Sequence, residues 1–203
     1  MAFVIFDTEY TSWKGCQEHG WHGKHKREIV QIAAIKVSND LRVLDTFNVL
    51  CKPNINPILS DYFIKLTGIT NQQIQHKGIS FQKAYKKFQK FVGNSKCLSH
   101  GYGGRWDDAC DGAIILENLK MYKMQIDSDI EYHNIAAWLI PEYKKIRLRK
   151  HPKNSGHIAK TLHMDDKIKN LGIDEHNALY DSYSILMGIK YFRKDLNSLL
   201  KKL

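Results

Sequence analysis

One stretch of the chain decides the fold and points to the function: Phe3-Val4-Ile5-Phe6-Asp7-Thr8-Glu9. Its apolar half predicts a buried strand, and its last residues continue that strand with two acids. Side chains alternate between the two faces of a strand, so Asp7 and Glu9 point to the same face. Two desolvated carboxylates this close need a cation, and Mg²⁺ or Mn²⁺ is the natural partner of oxygen ligands. The alternative is that the strand ends at Phe6 and both acids are solvated turn residues.

A second polar group lies near the other end, in the run His176-Asn177-Ala178-Leu179-Tyr180-Asp181. The apolar residues that follow fit one face of a helix, and Asp181 lies among them. A carboxylate on the inward face of a helix needs a cation or a donor as its partner. If both were helical, His176 and Asp181 would lie about 140° apart. We therefore place His176 in the preceding loop or first turn, as a general base above a metal-bound water.

Together these motifs resemble the DEDDh class of 3′→5′ exonucleases, which carries Asp-x-Glu near the start, an aspartate after a middle strand, and His-x-Ala-x-x-Asp near the end. The resemblance covers nearly the whole chain. Residues 28–35 are similar to the family's second strand, and Leu66-Thr67-Gly68-Ile69-Thr70 is similar to a segment that precedes its second motif. The resemblance implies a ribonuclease-H-like exonuclease fold, with a mixed central β-sheet flanked by helices, in a single domain over residues 1–203. Periodicity alone predicts only an α/β protein.

The aspartate of the second motif has three candidates, because the segment after the strand at 96–99 is longer than in the family. Asp111 is followed by apolar residues at the spacing of an amphipathic helix, which would hold a first-turn acid toward the sheet. We therefore favour Asp111 over Asp107 and Asp108. The other interpretation of Asp107 and Asp108 is that they only cap a helix and complement its dipole.

The resemblance implies a two-metal hydrolysis of single-stranded RNA or DNA from a free 3′ end, with release of nucleoside 5′-monophosphates. Two Mg²⁺ or Mn²⁺ ions about 4 Å apart would activate the water and stabilise the leaving oxygen, and His176 would accept the water proton. The ligands would be the carboxylates of Asp7, Glu9, Asp111 and Asp181. Two other functions stay open: a noncatalytic nucleic-acid-binding module of the same fold, and a phosphodiesterase for dinucleotides or short oligonucleotides. Nothing in the sequence indicates an oligomeric state or a preference between RNA and DNA.

The charge of the chain suits a phosphate-rich partner, since 31 Lys and Arg against 21 Asp and Glu give a formal net charge of +10. Several basic residues fall between Lys144 and Lys153, with Pro141 and Pro152. This stretch predicts a basic loop that contacts the nucleic acid, and a solvated linker is the alternative. Aromatic residues near the motifs offer faces on which unpaired bases can stack. The predicted substrate contacts are Thr8, Tyr10, Tyr102, Trp106, Arg147 and Arg149.

The run Cys16-x-x-His19-x-x-His22-x-x-His25 has residue types that suit Zn²⁺, but it lacks the longer gap between ligand pairs that is typical of zinc modules, so a surface loop is favoured. The four cysteines have no C-x-x-C spacing and fit reduced thiols. The chain begins with a core strand, and no apolar run approaches the ~20 residues that span a bilayer. We therefore expect a cytoplasmic protein without a membrane partner.

Periodicity predicts strands at 3–9, 28–37, 43–50 and 96–99 and a short one at 130–132. It predicts helices at 58–66 and 81–91, one from residue 111, and one at the end of the chain. Residues 11–27 are expected to form an insertion.

Overall fold

The computed structural model describes residues 2–21, 25–101, 110–125, 130–148, 151–173 and 177–192. Its strands form one mixed sheet in the order β4-β3-β2-β1-β5-β6. β1 to β3 are antiparallel, and β5 and β6 continue the sheet in parallel on the other side of β1. The strands are β1 (Ala2–Tyr10), β2 (Ile29–Ser38), β3 (Val43–Lys52), β4 (Ile79–Ser80), β5 (Lys96–Ser99) and β6 (Tyr132–Asn134).

Helices cover both faces of this sheet. In the first half of the chain they are α1 (Cys16–His19), α2 (Asp61–Thr67), α3 (Asn71–Lys77), α4 (Phe81–Val92) and α5 (Asp111–Met121). In the second half they are α6 (Ala136–Lys145), α7 (His157–Thr161), α8 (Asp166–Lys169) and α9 (Ala178–Tyr191). No helix in the described ranges has the length and apolar character needed to cross a membrane.

The alternation of β1 distributes its side chains between two hydrophobic cores. Phe3 and Ile5 pack with α6, α7 and α9, whereas Val4 and Phe6 pack with α4 and α5. The same alternation carries on past Phe6. The two acids of β1 therefore face α9, and the threonine between them faces α5.

Most of the predicted elements are confirmed, with boundaries that differ by one or two residues. The helix expected at 58–66 begins later, at Asp61, because the Ser60 hydroxyl accepts a hydrogen bond from the backbone N–H of Phe63 and caps it. The strand expected at 130–132 lies at 132–134 instead.

The interpretation of residues 144–153 as one basic loop is wrong at its start, because Lys144 and Lys145 belong to α6. Buried apolar side chains, among them Trp138, Leu139 and Tyr143, hold this helix against the core even though it contains Pro141. The sequence reasoning weighed the proline and the lysines but not this apolar face. The short elements α1, α3, β4, α7 and α8 were also not predicted.

Candidate active site

Four carboxyl groups meet at one end of β1. Asp7 and Glu9 come from the strand, Asp111 from the first turn of α5, and Asp181 from the first turn of α9. All four line one cavity of about 710 Å³. The structure therefore brings together the acids that the sequence predicts for one site, although they come from three separate parts of the chain.

Asp111 is tied to β1 by Thr8, which lies between the two strand acids. The backbone N–H of Thr8 donates to Asp111 Oδ1 at 2.9 Å, and the Thr8 hydroxyl donates to the same oxygen at 2.7 Å. Both residues are buried. This contact is possible because Thr8 points to the α5 face of the sheet.

Asp7 and Asp181 are joined by Ser155, a buried residue in the segment that precedes α7. The Ser155 hydroxyl lies 2.9 Å from Asp7 Oδ1 and 2.9 Å from Asp181 Oδ2. The next residue is Gly156, where a Cβ atom would stand 2.6 Å from Asp181 Oδ1. A glycine is therefore required for this segment to approach Asp181 so closely.

The carboxyl groups are electrostatically unfavourable as ions. Burial raises the pKa of Asp7 well above its ordinary value, and the carboxylates of Asp111, Asp181 and Glu9 raise it further. The pKa of Glu9 is also raised, first by burial and then by Asp181 and Asp111. Burial raises the pKa of Asp111 to about 7, against the hydrogen bonds from Thr8 that lower it. The cluster therefore favours the uptake of protons or of cations.

Carboxylate oxygens fit hard divalent cations. In the part of the chain that the structure describes, however, no three Asp, Glu, His or Cys side chains stand where they could jointly hold one ion. The hydroxyls of Ser155 and Thr8 occupy carboxylate oxygens instead. Ion binding would exchange such hydroxyl contacts for metal contacts.

Several residues of the cavity were missed by sequence reasoning. His100 follows β5 directly and is buried, and neither of its ring nitrogens has a hydrogen-bond partner among the residues that the structure describes. Burial lowers its pKa to about 4, so the ring is neutral at physiological pH. Its place at the carboxyl end of a strand beside β1 is a signal that sequence reasoning could have used. Nothing local marked Asn154 and Ser155, because they directly follow the stretch from Lys144 to Lys153 that was interpreted as a basic loop.

The predicted substrate contacts are only partly described. Tyr10 lines the cavity and packs edge-on against Trp21, with ring centroids 5.6 Å apart. Arg147 is exposed and does not line this cavity, whereas Lys153 does. Thr8 is hydrogen-bonded to Asp111, and the other predicted residues lie outside the described part of the chain: Tyr102, Trp106, Arg149, His176 and the alternative ligands Asp107 and Asp108.

The residues of the Cys-His run have different surroundings. Cys16 is buried, the His19 side chain is 82% exposed, and His25 stacks on Trp13 with ring centroids 4.2 Å apart. His22 lies outside the described residues. The stacking of His25 on Trp13 also occupies one of the aromatic faces of the insertion.

Comparisons with known proteins agree with this architecture. A family model described as exonuclease (RNase T) matches residues 4–187. Over 90 residues, or 44% of the chain, the sequence is 27% identical to human ERI1 exoribonuclease 2. The match spans only 12% of that relative's length.

Two solved structures are similar over most of the chain. Cell-death related nuclease 4 (CRN-4) superimposes with a TM-score of 0.69 at 17% identity, covering 93% of this chain and 62% of that one. The nuclease domain of 3′hExo, a DEDDh family member bound to rAMP, superimposes with a TM-score of 0.59 at 23% identity, covering 92% and 88%. At these identities the likeness shows the fold, and the predicted ribonuclease-H-like exonuclease fold is confirmed.

Proposed function

The chain belongs to the exonuclease family, and from that premise we propose that it is a metal-dependent 3′→5′ exonuclease. Membership of the family confirms the resemblance drawn from the sequence motifs. We propose that the protein hydrolyses single-stranded RNA or DNA from a free 3′ end and releases nucleoside 5′-monophosphates. The observation that carries this proposal is the meeting of four carboxyl groups in one cavity, with Asp7 and Asp111 buried and Glu9 and Asp181 half-buried.

The chemistry of these groups supports their assignment to divalent ions. Burial and mutual repulsion make the ionised cluster costly, and two divalent ions would offset its formal charge of about −4. We assign the ions, Mg²⁺ or Mn²⁺, to the carboxylates of Asp7, Glu9, Asp111 and Asp181. When bound, the ions supply an activated water and neutralise charge at the leaving 3′ oxygen.

The residues around the carboxylates have positioning roles in this proposal. Thr8 was predicted to contact substrate, but its hydroxyl is engaged with Asp111, so we assign it to the orientation of that carboxylate. Ser155 holds Asp7 and Asp181 at a common distance from one hydroxyl. Lys153 lines the cavity, where an ammonium group suits a substrate phosphate.

We keep His176 as the general base. The chain directly after it is anchored, because Ala178 donates its backbone N–H to the Gln31 side chain and the Asn177 side chain caps α9. Gln31 is paired with Glu9 across β1 and β2. This anchor fixes the start of α9, the helix whose first turn brings Asp181 into the acidic cavity.

A noncatalytic module and a phosphodiesterase for very short oligonucleotides are the alternatives. The four carboxyl groups in one cavity argue against the first alternative, because a module that only binds phosphates has no need of a cluster of acids that repels them. Comparing the hydrolysis rates of dinucleotides and of long single strands distinguishes the second alternative, the phosphodiesterase, from the proposed exonuclease. We also place the protein in the cytoplasm, which agrees with Cys16, Cys51, Cys97 and Cys110 being free and buried.

The test uses two single-stranded substrates, labelled at the 5′ or at the 3′ end, with Mg²⁺ or Mn²⁺. We expect the 5′ label to give a ladder of shortening products and the 3′ label to be released as a mononucleotide. Asp7→Asn and Asp181→Asn should reduce hydrolysis to background, because each removes a ligand charge. Asp166→Asn is the matched control, since that side chain is 90% exposed. Undiminished hydrolysis by either variant, or by the unchanged protein in excess EDTA, would refute the proposal.

A further inference from the structure

A second cavity of about 430 Å³ is lined by residues of β2, β3, α3 and α4 and by Asn177, the N-cap residue of α9. Gln31 contributes to it, and the Cα partner of Gln31 in β1 is Glu9, which lines the acidic cavity. Adjacent strands are about 4.8 Å apart, so the two cavities are close neighbours. No acidic residue is among the described residues that line the second cavity. Its polar lining consists of Gln31, Asn48, Gln73, Lys77, Lys87 and Asn177.

Backbone groups determine how the amide side chains of this cavity are oriented. The N–H of Ala178 donates to the Gln31 side chain at 3.3 Å, so that contact must involve Gln31 Oε1. Gln31 Nε2 therefore faces the other way, and it donates to Asn48 Oδ1 at 2.8 Å and to Asn177 Oδ1 at 3.2 Å. The N–H of Leu179 independently requires an oxygen at Asn177, at 2.9 Å.

The same reasoning applies to Gln73. The N–H of Thr70 donates to Gln73 Oε1 at 2.7 Å, which completes the capping box of α3. Each acceptor oxygen among the lining amides is thus already engaged inside the protein. The amide nitrogens of Asn48, Asn177 and Gln73 remain for a ligand, whereas buried Gln31 uses its own nitrogen on the two asparagines.

The cavity therefore offers several free hydrogen-bond donors, whereas each amide oxygen among its side chains already accepts at least one hydrogen bond. The free donors are the amide nitrogens of Asn48, Asn177 and Gln73 and the ammonium groups of Lys77 and Lys87, none of which has a side-chain partner among the residues that the structure describes. A ligand for such a lining carries several acceptor oxygens and negative charge. We propose that this cavity binds a phosphate group.

The phosphate comes either from a nucleic acid strand or from a free nucleotide. The first source rests on the proposed function: a strand whose 3′ end enters the acidic cavity passes close enough to place another of its phosphates here. The second source is a mononucleotide, the product class of that same reaction. The two sources share the chemistry of the bound group, and the length of the probe distinguishes them.

The first test reverses the polarity of one group while it preserves the network. Asn48→Asp keeps an oxygen that accepts from Gln31 but replaces the free donor by an anionic acceptor. Asn48 is exposed, so the change leaves the core intact. Asn39→Asp is the matched control, because it makes the same change at an exposed turn residue that does not line the cavity. The affinity for a single-stranded oligonucleotide is measured in EDTA, so that the readout does not depend on hydrolysis. The affinity should decrease about threefold to tenfold for Asn48→Asp and should not decrease for Asn39→Asp.

The second test removes the two cations. Lys77→Gln with Lys87→Gln should lower the slope of log affinity against log salt by about 0.7, the value for one phosphate contact on a single strand. Lys83→Gln with Lys90→Gln removes the same charge from exposed positions of α4 that lie outside the cavity, so this control should keep the slope. Equal changes in the two double variants would overturn the proposal.

The third test reads the site directly through the side-chain amide NMR signals of Asn48 and Asn177. Titration with inorganic phosphate, a nucleoside 5′-monophosphate, and oligonucleotides of increasing length should shift these signals. A response to phosphate and mononucleotide supports the free ligand, and a response only to longer strands supports the strand. Unchanged signals with every probe would refute the site. If the protein hydrolyses substrate while these signals stay unchanged, only the site is wrong; if the signals respond but no hydrolysis occurs with Mg²⁺ or Mn²⁺, only the nuclease function is wrong.

Discussion

Thr8 donates two hydrogen bonds to the same oxygen of Asp111, a residue 103 positions further along the chain. The contact fixes the first turn of α5 against β1 between the two strand acids. It accounts for a carboxylate from a distant helix lying in the same cavity as Asp7 and Glu9.

This contact leads to a ranking of the aspartates near α5. Asp111→Asn should lose activity as severely as Asp7→Asn, whereas Asp107→Asn and Asp108→Asn should keep most of it. The fold should survive the first change, because an amide oxygen still accepts from Thr8. Steady-state hydrolysis rates measure the activity of each variant, and thermal unfolding measures whether its fold is retained. The reverse ranking would transfer the ligand role to Asp107 or Asp108.

The pKa shifts predict how the stability of the metal-free protein depends on pH. The pKa of Asp111 is about 7 in the fold and 3.8 ordinarily, so between these values the unfolded chain ionises while the folded chain keeps its proton. The contribution of Asp111 to the free energy of unfolding is therefore fully present below about pH 4 and is lost as the pH rises through 7. Burial raises the pKa of Asp7 and Glu9 as well, so they act in the same direction.

His100 acts in the opposite direction between about pH 4 and 6.5, because burial lowers its pKa to about 4. In EDTA the Tm of Asp111→Asn should therefore exceed that of the unchanged protein by more at pH 8 than at pH 5, a difference from which His100, present in both proteins, drops out. Mg²⁺ or Mn²⁺ should raise the Tm of the unchanged protein more at pH 8 than at pH 5. A difference in Tm between the two proteins that shrinks as the pH rises would contradict the raised pKa of Asp111.

Gly156 provides a test of the approach to Asp181. In Gly156→Ala the new Cβ atom would stand 2.6 Å from Asp181 Oδ1, so the carboxyl group must move and kcat should fall. Gly188→Ala is the comparison, because its Cβ would meet Ile158 in the core at 2.7 Å. We expect Gly156→Ala to decrease mainly kcat and Gly188→Ala to decrease mainly Tm. The opposite pattern would show that Gly156 serves only packing.

His176→Ala should slow the chemical step by about 10²- to 10⁴-fold, the usual contribution of general acid–base catalysis. Binding of metal and substrate should be retained, because the histidine is not proposed as a ligand. Single-turnover rates at neutral pH measure the effect, with His76→Ala on the exposed side of α3 as the control. A decrease below about tenfold would assign the base to another group.

Substitution of Lys153 and substitution of Arg147 are expected to differ in the substrate lengths that they affect. Lys153 lines the acidic cavity, so Lys153→Ala should weaken the turnover of a dinucleotide as well as that of a long strand. Arg147 is exposed outside that cavity, and Arg147→Ala with Arg149→Ala should affect long strands alone, with a decrease of about 0.7 in the salt slope for each lost phosphate contact. Equal effects of the arginine pair on both substrates would place that segment in the active site, and no effect on either would make it a solvated linker.

Local periodicity in the sequence determined much of this protein. The alternation along β1 predicted that Asp7 and Glu9 share a face, and the apolar spacing predicted the helices that begin near Asp111 and Asp181. These features depend on neighbouring residues only, so they are readable without a structure. The family and the fold followed because the motifs occur in one order along the chain.

Tertiary packing decided the rest. Ser155 reaches Asp7 and Asp181 because α7 packs against α9, and Gly156 is needed only because that approach is close. The polarity of the second cavity follows from Gln31, whose partners at Asn177 and Ala178 lie at the other end of the chain. Contacts between residues so far apart in sequence depend on how helices pack on the sheet, and no local pattern of residues records that packing.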